Sequence, residues 1–401
     1  MKLFKYEMKK LILHKNRQMF LAVMFALFVL MGLWTSSGTL ELRKSNDYSE
    51  YINLVEENSG TLNTEQLKES IEIAEEAKIK QRQGDNDSFI RYLNQNPVVK
   101  FHYDYANYGE RVYEYLNGPE YQDNSDIKGI YPLQDKLNKL EGSQGSYEYK
   151  YYQKRLETEL SHGEPVFAYT QFWNNFATSF DISRVVFMLL MLLAYIIAPI
   201  FTQEIKADMN SIVLCSLKGR REIVTAKLLT VCSVAAILTI LYFSGYFIGA
   251  FIATGNITGF NEPARSFATF EGAIFDTTVV GLAMLGILWT MLAAVVFGLV
   301  VCLISALAKN QTTVFGLSVV FMLTFSMLGF SPDYIHAMIW PLIDFNLVAL
   351  SFFNIIFNSS TMYNFFGMPL SYGLTAFMVC IAFSVITVLL TYIVQKWRQV
   401  A

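Results

Sequence analysis

The chain has 401 residues, of which 53% are hydrophobic and only 16% are charged, and its mean hydropathy is +0.33. Soluble globular proteins carry roughly 25% charged residues, so the composition indicates a membrane protein. The formal net charge of −3, from 31 Lys and Arg against 34 Asp and Glu, excludes a generally basic nucleic-acid-binding protein, because no surplus of cations is present to neutralise phosphates.

Six segments are long and apolar enough to cross a hydrocarbon core as helices, which takes about 20 residues for roughly 30 Å. They predict an α-helical polytopic membrane protein with six transmembrane helices. The first follows basic residues, but its apolar run is too long for a cleaved signal peptide, so we interpret it as a retained helix. The predicted spans are Met19 to Ser37, Arg184 to Phe201, Leu228 to Ala253, Thr278 to Leu307, Thr312 to Phe330 and Tyr372 to Val394.

The cationic side chains predict the orientation of these spans, because short loops rich in Lys and Arg stay in the cytoplasm. The loop from Thr254 to Thr277 contains Arg265 alone, and the stretch from Ser331 to Ser371 contains no Lys or Arg. We therefore expect both termini of a multi-pass cell-membrane protein to be cytoplasmic. The cations assigned to that side are Lys2, Lys5, Lys9, Lys10, Lys15 and Arg17, then Lys206, Lys218, Arg220, Arg221 and Lys227, then Lys309, Lys396 and Arg398.

This orientation makes residues 38–183 an extracellular domain between the first two spans. The segment contains 15 Lys and Arg and 25 Asp and Glu, a local charge of 15 − 25 = −10. Its length is near that of an ordinary domain, so it can bury a core of its own. No disulfide bond holds this segment together, because all four cysteines of the chain lie outside it, as suits a bacterial protein. They are Cys215, Cys232, Cys302 and Cys380.

Within this domain, the pattern from Thr64 to Gln83 predicts a helix that Asn63 caps and Gly84 ends. Much of the remainder is rich in tyrosine, which offers a large contact area with a polar tip. Two interpretations stay open: the rings bind a peptide or glycan, or they pack the domain and face the headgroups. The tyrosines concerned are Tyr103, Tyr105, Tyr108, Tyr113, Tyr115, Tyr121, Tyr131, Tyr147, Tyr149, Tyr151 and Tyr152.

The sequence contains none of the common short motifs for nucleotide binding or hydrolysis. There is no G-x-x-x-x-G-K-[ST] phosphate loop, no H-E-x-x-H zinc pair and no G-x-S-x-G nucleophile elbow. The four histidines are His14, His102, His162 and His336, and the predicted topology separates them. We therefore expect no catalytic residue, metal site or cofactor in this chain, and no enzymatic activity of its own.

The cytoplasmic segment FTQEIKADMNSIVLCSLKGRREIVTAKLLT, from Phe201 to Thr230, is the most informative. It begins with Glu204 at the membrane exit, turns at Lys218-Gly219 and continues as a basic amphipathic helix into the third span. This resembles the ABC-2 family of permeases (type V ABC exporters), whose members carry a Phe-x-x-Glu exit and a Leu-Leu-Ser-x-Pro-x-Ser-Arg-x-Glu-Ile-x-x-x-Lys segment. The matching residues are Leu214, Ser216, Leu217, Arg220 or Arg221, Glu222, Ile223 and Lys227, whereas Lys218-Gly219 replaces the Pro-containing turn.

The resemblance implies a permease that a separate ABC ATPase subunit drives, with ATP and Mg²⁺ bound by that partner. It also implies a homodimer or heterodimer, an interfacial elbow helix at residues 1–18, a coupling loop at 204–227 and a re-entrant outer region at 331–371. The ATPase-coupling residues would be Glu204, Leu217, Arg220, Arg221, Glu222 and Lys227. The large insertion between the first two spans departs from many family members. A second interpretation stays open, in which the cations only set topology and contact anionic lipid.

Few polar groups lie near the predicted spans. Charges at membrane depth are costly and often functional, so Glu271, Asp276 and Asp344 are candidates for a substrate or gate role. Trp340 is a further candidate, because Asp344 follows the Trp340-Pro341 break. Their alternative placement is the outer interface, together with Arg184. So few charges argue against an ion pump and favour a hydrophobic or amphipathic cargo.

Three functions are compared on these grounds. The first is an ABC exporter permease for a peptide, antibiotic or lipid-like substrate, with a cationic or amphipathic peptide as one candidate. The second is a membrane-anchored sensor or immunity protein whose extracellular domain binds a peptide or envelope ligand without transport. The third, an intramembrane enzyme, lacks a recognisable catalytic constellation. The sequence favours the first.

Overall fold

Five helices of the described residues are long and apolar enough to cross a membrane, and they make this an α-helical membrane protein. The computed structural model describes residues 2–12, 15–83, 86–118, 127–161, 164–169, 171–180, 186–206, 219–267, 270, 275–328, 341, 343–358 and 361–397. The five helices are Arg17–Thr35, Phe187–Ile205, Arg221–Thr254, Val279–Leu307 and Tyr372–Trp397. At the fifth predicted span, Gln311–Met327 is a shorter apolar helix, and the last two residues of that prediction lie outside the described residues.

The described residues form α-helices α1 to α17 in chain order. They are α1 (Lys2–Leu11), α2 (Lys15–Thr35), α3 (Ser37–Arg43), α4 (Tyr48–Glu57), α5 (Thr64–Gln83), α6 (Asn86–Gln95), α7 (Pro97–Asn117), α8 (Ile130–Lys139), α9 (Tyr147–Ser161), α10 (Gln171–Ala177), α11 (Phe187–Ile197), α12 (Pro199–Lys206), α13 (Gly219–Thr254), α14 (Val279–Leu307), α15 (Gln311–Leu328), α16 (Phe353–Phe357) and α17 (Tyr372–Trp397).

Helix α13 lies at the centre of the bundle and packs against both α2 and α14. Its contact with α2 is close because Gly245 and Gly249 form a G-x-x-x-G pattern, which lets two helix backbones approach. A Cβ atom on Gly245 would lie 2.8 Å from the Cβ of Phe28, and one on Gly249 would collide with the carbonyl oxygen of Val29. The first and third spans are therefore held together by backbone proximity as well as by side-chain packing.

The described residues from α3 to Tyr169 form a helical region with a core of its own. Helix α10 instead packs into the bundle, where Phe172 and Phe176 lie against Phe247 and Phe243 of α13. Helix α5 has the bounds that the sequence predicts, and Asn63 caps it by accepting from the backbone N–H of Glu65 (3.0 Å). The only strand-like pairing described within it is the bridge between Gly60 and Phe167. Helix α3 begins at Ser37, next to the first residue of the predicted domain (38–183), and residues 181–185 at its other boundary lie outside the described part.

Aromatic side chains form the core of this helical region. Phe167 packs against Phe101, Tyr105 and Tyr108, with ring centroids 4.7 to 5.9 Å apart. The Tyr108 hydroxyl shares its one proton between the carbonyl oxygens of Pro165 (3.0 Å) and Gly60 (3.2 Å). Tyr105, Tyr108 and Tyr152 are buried, while Tyr113 and Tyr131 are exposed. For the three buried tyrosines, the packing interpretation is therefore correct; Tyr121 lies outside the described residues.

The helical region contacts two loops of the membrane bundle. Arg265, after α13, pairs with Glu159 of α9, and the Ser266 hydroxyl accepts from the backbone N–H of Val166 (3.0 Å). The Tyr147 hydroxyl donates to the carbonyl oxygen of Met362, just before the last span (3.4 Å). These loops and the helical region consequently occupy one end of the bundle.

Residues 341–371 contain short helices and a β-hairpin. Helix α16 packs into the bundle with Phe353 and Ile356 buried. Just before α16, the carbonyl oxygen of the buried Leu350 accepts from the Trp289 indole N–H of α14 (2.9 Å). The strands β1 (Met362–Phe365) and β2 (Met368–Ser371) then pair antiparallel. The part of the predicted re-entrant region (331–371) that is described therefore ends in a hairpin, which the Phe366-Gly367 turn closes with positive φ at both residues. Residues 331–340 lie outside the described residues.

Candidate functional site

The second span is broken near its end, and this break shapes the candidate site. Pro199 has no N–H to donate, so the helix is interrupted between α11 and α12. The hydroxyl of Ser305, on α14, enters the gap: it donates to the carbonyl oxygen of Ala198 (2.8 Å) and accepts from the N–H of Phe201 (3.2 Å). A side chain inserted into the backbone ladder is a recognised cause of helix kinks. Beyond the break, Ile200 and Glu204 of α12 contact Lys227 of α13.

An ion pair between α12 and α13 lies directly after this break. Lys227 Nζ is 2.7 Å from Glu204 Oε1, and the Lys227 side chain is fully buried. The same ammonium donates to the carbonyl oxygen of Ile200 and lies 4.8 Å from the centre of the Phe201 ring. Lysine is almost never fully buried unless it is paired, and here all of its neighbours on the second span belong to the kinked segment. The pair therefore fixes the end of the second span to the third.

Helix α1 adds two further charged groups to this pair. Lys10 Nζ is 3.2 Å from Glu204 Oε1 and 3.8 Å from Glu7 Oε2, while Lys227 Nζ is 3.7 Å from Glu7 Oε1. Two lysines and two glutamates thus alternate in one cluster, which we call the ion cluster (Glu7, Lys10, Glu204 and Lys227). It connects the N-terminal amphipathic helix to the second and third spans.

The ion cluster is formally neutral but incompletely satisfied. Glu7 is only 4% exposed, and its Oε2 atom has no hydrogen-bond partner among the described residues. Burial raises the pKa of the Glu7 carboxyl, although Lys227 and Lys10 act in the opposite direction. Removing one partner from a buried ion pair is strongly destabilising, because it leaves a charge uncompensated. The ion cluster therefore strongly favours one arrangement of α1, α12 and α13.

Two members of the cluster, Glu7 and Lys10, were not among the predicted site residues. Glu7 carries a recognisable signal, since it is the only Asp or Glu in the first 40 residues and stands in a strongly basic stretch. An acidic residue inside a basic interfacial helix suggests a specific cationic partner. The sequence provides no comparable signal for Lys10, because α1 contains four lysines of similar appearance.

Among the other predicted ATPase-coupling residues, the two whose side chains are described do not join the cluster. Arg221 and Glu222 are exposed on the first turns of α13. Nearby, the hydroxyl groups of Thr225 and Tyr392 are 2.7 Å apart and link α13 to the last span. Leu217 lies outside the described residues, and for Arg220 only the backbone is described, at the start of α13. The structure thus joins Glu204 to Lys227 and leaves Arg221 and Glu222 accessible.

The predicted substrate or gate residues are not brought together in the described part. Asp276 is exposed before α14. Asp344 accepts a bond from the Tyr363 hydroxyl at its Oδ2 atom (2.9 Å), and its backbone carbonyl accepts from the Tyr372 hydroxyl (2.6 Å). Burial, followed by the charge of Asp344, raises the pKa of Tyr363. Asp344 therefore ties the hairpin to the last span, while Glu271 and Trp340 lie outside the described residues.

The chemistry of this site is electrostatic and mechanical. Among the described residues, no group of three or more His, Cys, Asp or Glu side chains is placed to hold a metal ion. The ion cluster instead provides a salt-bridged joint between helices, next to accessible charges on α13. In comparisons with known proteins, no family model and no curated protein matches the chain.

Proposed function

We propose that the chain is the membrane-spanning permease subunit of an ATP-driven ABC exporter. A separate ATPase subunit binds ATP and Mg²⁺ and drives the transport of a hydrophobic or amphipathic substrate. The observation that carries the proposal is the ion pair of Glu204 with Lys227 (2.7 Å). It joins the second and third spans at the two ends of the segment that resembles a coupling loop.

A coupling element must transmit a push from a soluble ATPase to transmembrane helices without absorbing it. The ion cluster supports this role because it prevents the ends of α12 and α13 from sliding apart, and α13 continues without interruption over 36 residues. A rigid-body movement applied at the start of α13 would then reach the whole third span. Arg221 and Glu222 are exposed on its first turns and would provide the polar contacts to the ATPase.

The proposal includes six spans with both termini in the cytoplasm. Helix α15 serves as the fifth span, with 17 residues in its apolar part, and α1 lies on the cytoplasmic surface as an elbow helix. Residues 38–183 are then extracellular. A dimer of permease subunits, either two copies or two related chains, would bind two ATPase subunits.

The proposed substrate class is supported by the negative charge of residues 38–183 and by the apolar character of the buried residues in the bundle. With a net charge of 15 − 25 = −10, residues 38–183 would attract cationic or amphipathic peptides. The buried residues of the spans are mainly apolar, which suits a hydrophobic cargo rather than a solvated ion. An antibiotic or a lipid-like molecule fits the same description.

A second function, a membrane-anchored sensor or immunity protein, is favoured by one specific observation. The helical region bonds to loops next to the third, fourth and last spans through Arg265, Ser266 and Met362. A ligand bound to that region would therefore be mechanically connected to the bundle without any transport. Dependence of the protein's activity on an ATPase partner distinguishes the two functions.

The proposal is tested by purifying the tagged chain from its native membrane and assaying ATP hydrolysis in lipid nanodiscs. We expect an ATPase subunit to co-purify, and hydrolysis to require both proteins. The double substitution Arg221→Gln and Glu222→Gln should lower hydrolysis and transport about tenfold while the protein still inserts, because the ion cluster is untouched. Lys309→Gln, which removes another exposed cation, is the matched control and should retain parental rates. Parental rates for the double variant, or hydrolysis by the chain alone, would contradict the proposal.

A further inference from the structure

A second feature lies beside the ion cluster: an open cavity of about 600 Å³ between α1, α2, the second span and the start of α15. We propose that this cavity binds the phosphate headgroup of an anionic phospholipid. Its polar wall contains Lys10, Arg17, Gln203 and Gln311, and its apolar wall includes Phe20 and Tyr195. This inference does not depend on transport or on an ATPase partner.

The cavity carries surplus positive charge because Arg17 is not neutralised. Lys10 is already paired with Glu204 and Glu7. Arg17 uses Nη1 to donate to the carbonyl oxygens of Lys10 (3.0 Å) and Leu11 (2.9 Å), at the end of α1. Within the described part of the chain, it pairs with no carboxylate. Its remaining guanidinium N–H groups supply the fork that suits a phosphate.

Two helix N-termini add to this positive potential. Arg17 lies in the first turn of α2, and Gln311 is the first residue of α15. Asn310 caps α15 by accepting from the N–H of Thr313 (2.8 Å). The unpaired N–H groups at a helix start carry partial positive charge and favour anions. The amides of Gln203 and Gln311 supply further uncharged donors at the same wall.

The apolar lining of the cavity favours a lipid over a soluble phosphate. The rings of Phe20 and Tyr195 lie 5.4 Å apart at their centres. Met19 and Val23 also line the cavity, and they are 68% and 55% exposed. Both belong to the first span, so this apolar surface continues along the path of an acyl chain. A lipid whose headgroup phosphate binds Arg17 and whose acyl chain lies along α2 would contact both the polar and the apolar lining of the cavity.

The test uses the full chain in a neutral detergent and measures lipid binding by native mass spectrometry, with thermal unfolding as a second readout. The probes are dioleoylphosphatidylglycerol, dioleoylphosphatidylcholine and inorganic phosphate. We expect phosphatidylglycerol to bind and to raise the melting temperature. Phosphatidylcholine should bind at least tenfold more weakly, and inorganic phosphate should leave the melting temperature unchanged. Equal binding of the two lipids would overturn the proposal, and so would a full stabilisation by inorganic phosphate, which would indicate a site for soluble anions.

A pair of variants localises the site. Gln311→Glu introduces a negative charge into the cavity wall, yet the first turn of a helix tolerates an acidic residue well. We expect it to weaken phosphatidylglycerol binding at least tenfold without lowering the melting temperature of the lipid-free protein. Thr312→Glu places the same charge on the next exposed residue, which does not line the cavity, and should bind within twofold of the parent. Equal affinities for the two variants would place the lipid elsewhere and overturn the proposal.

Discussion

The two ends of the molecule are held together by different physical means. At one end, the ion cluster joins three helices through four charged side chains, of which Lys227 is fully buried. At the other end, the core of the helical region consists of aromatic rings around Phe167. Aromatic packing is stabilised mainly by burial of apolar surface, which does not depend on direction, so it tolerates small displacements. A buried ion pair, by contrast, loses much of its energy when its geometry changes.

This difference indicates where the molecule can transmit movement. The ion cluster is stable in one arrangement of its buried charges, so α12 and α13 should move together. Such a connection suits the transmission of a displacement from one helix to the next. The aromatic core holds a region that can be loosened locally without disturbing the spans, because none of the rings packed around Phe167 belongs to a span. Three substitutions test this comparison.

The largest effect is expected for Lys227→Met. The substitution leaves Glu7 and Glu204 near each other without their buried counter-charge, and breaking a buried pair in this way costs about 3–5 kcal/mol. The free energy of unfolding in detergent, from denaturant titration, measures the loss. Lys227→Arg keeps the charge and should cost clearly less. Equal stability of the methionine variant and the parent would show that the cluster contributes nothing to the joint.

A loss of about 3–5 kcal/mol is also expected for Phe167→Ala, as for other large-to-small changes at buried aromatic residues. Its consequence should be local, since Phe167 contacts Phe101, Tyr105 and Tyr108 and no residue of a span in these ring pairs. Hydrogen exchange should accelerate in α4 and α7 but remain parental in α13 and α14. Tyr131→Ala, at a residue 56% exposed, is the control. Accelerated exchange in the spans as well would show that the two ends are one cooperative unit.

The sequence predicts the spans better than it predicts the site, for a physical reason. Apolar runs and the cap at Asn63 are local patterns, and the bounds of α5 and the start of α17 at Tyr372 agree with the structure. The ion cluster depends on contacts between residues 194 and 23 positions apart, Lys10 with Glu204 and Lys227 with Glu204. The spacing of residues along the sequence does not predict such long-range contacts. The hairpin at Met362–Ser371 was missed because its two strands are short, and short apolar runs do not distinguish a strand from a helix.

The same limit applies to the close packing of α2 on α13. The G-x-x-x-G pattern at Gly245 and Gly249 is visible in the sequence and indicates a helix contact. It does not identify the partner helix, because several spans have small residues. The structure places Val29 and Phe28 of α2 against these glycines.

The smallest effect, and the sharpest test of the ion cluster, is expected for Glu7→Gln. Burial raises the pKa of Glu7 in the folded protein above the ordinary glutamate value of 4.5. A carboxyl whose pKa is raised by folding binds its proton more tightly in the folded state, so the protein loses stability as the pH rises from the unfolded pKa through the folded one. Glutamine resembles the protonated carboxyl and should abolish this loss.

We therefore expect Glu7→Gln to be about as stable as the parent near pH 4.5 and equally or more stable at pH 7.5, in contrast to Lys227→Met. Unfolding free energies measured in detergent at both pH values provide the comparison. Glu222→Gln, at an exposed carboxyl on α13, serves as the control and should leave the pH dependence unchanged. A destabilisation of Glu7→Gln that appears at pH 7.5 but not at pH 4.5 would show that the two lysines outweigh the burial of Glu7. The cluster would then owe its stability to all four charges rather than to Lys227 and Glu204 alone.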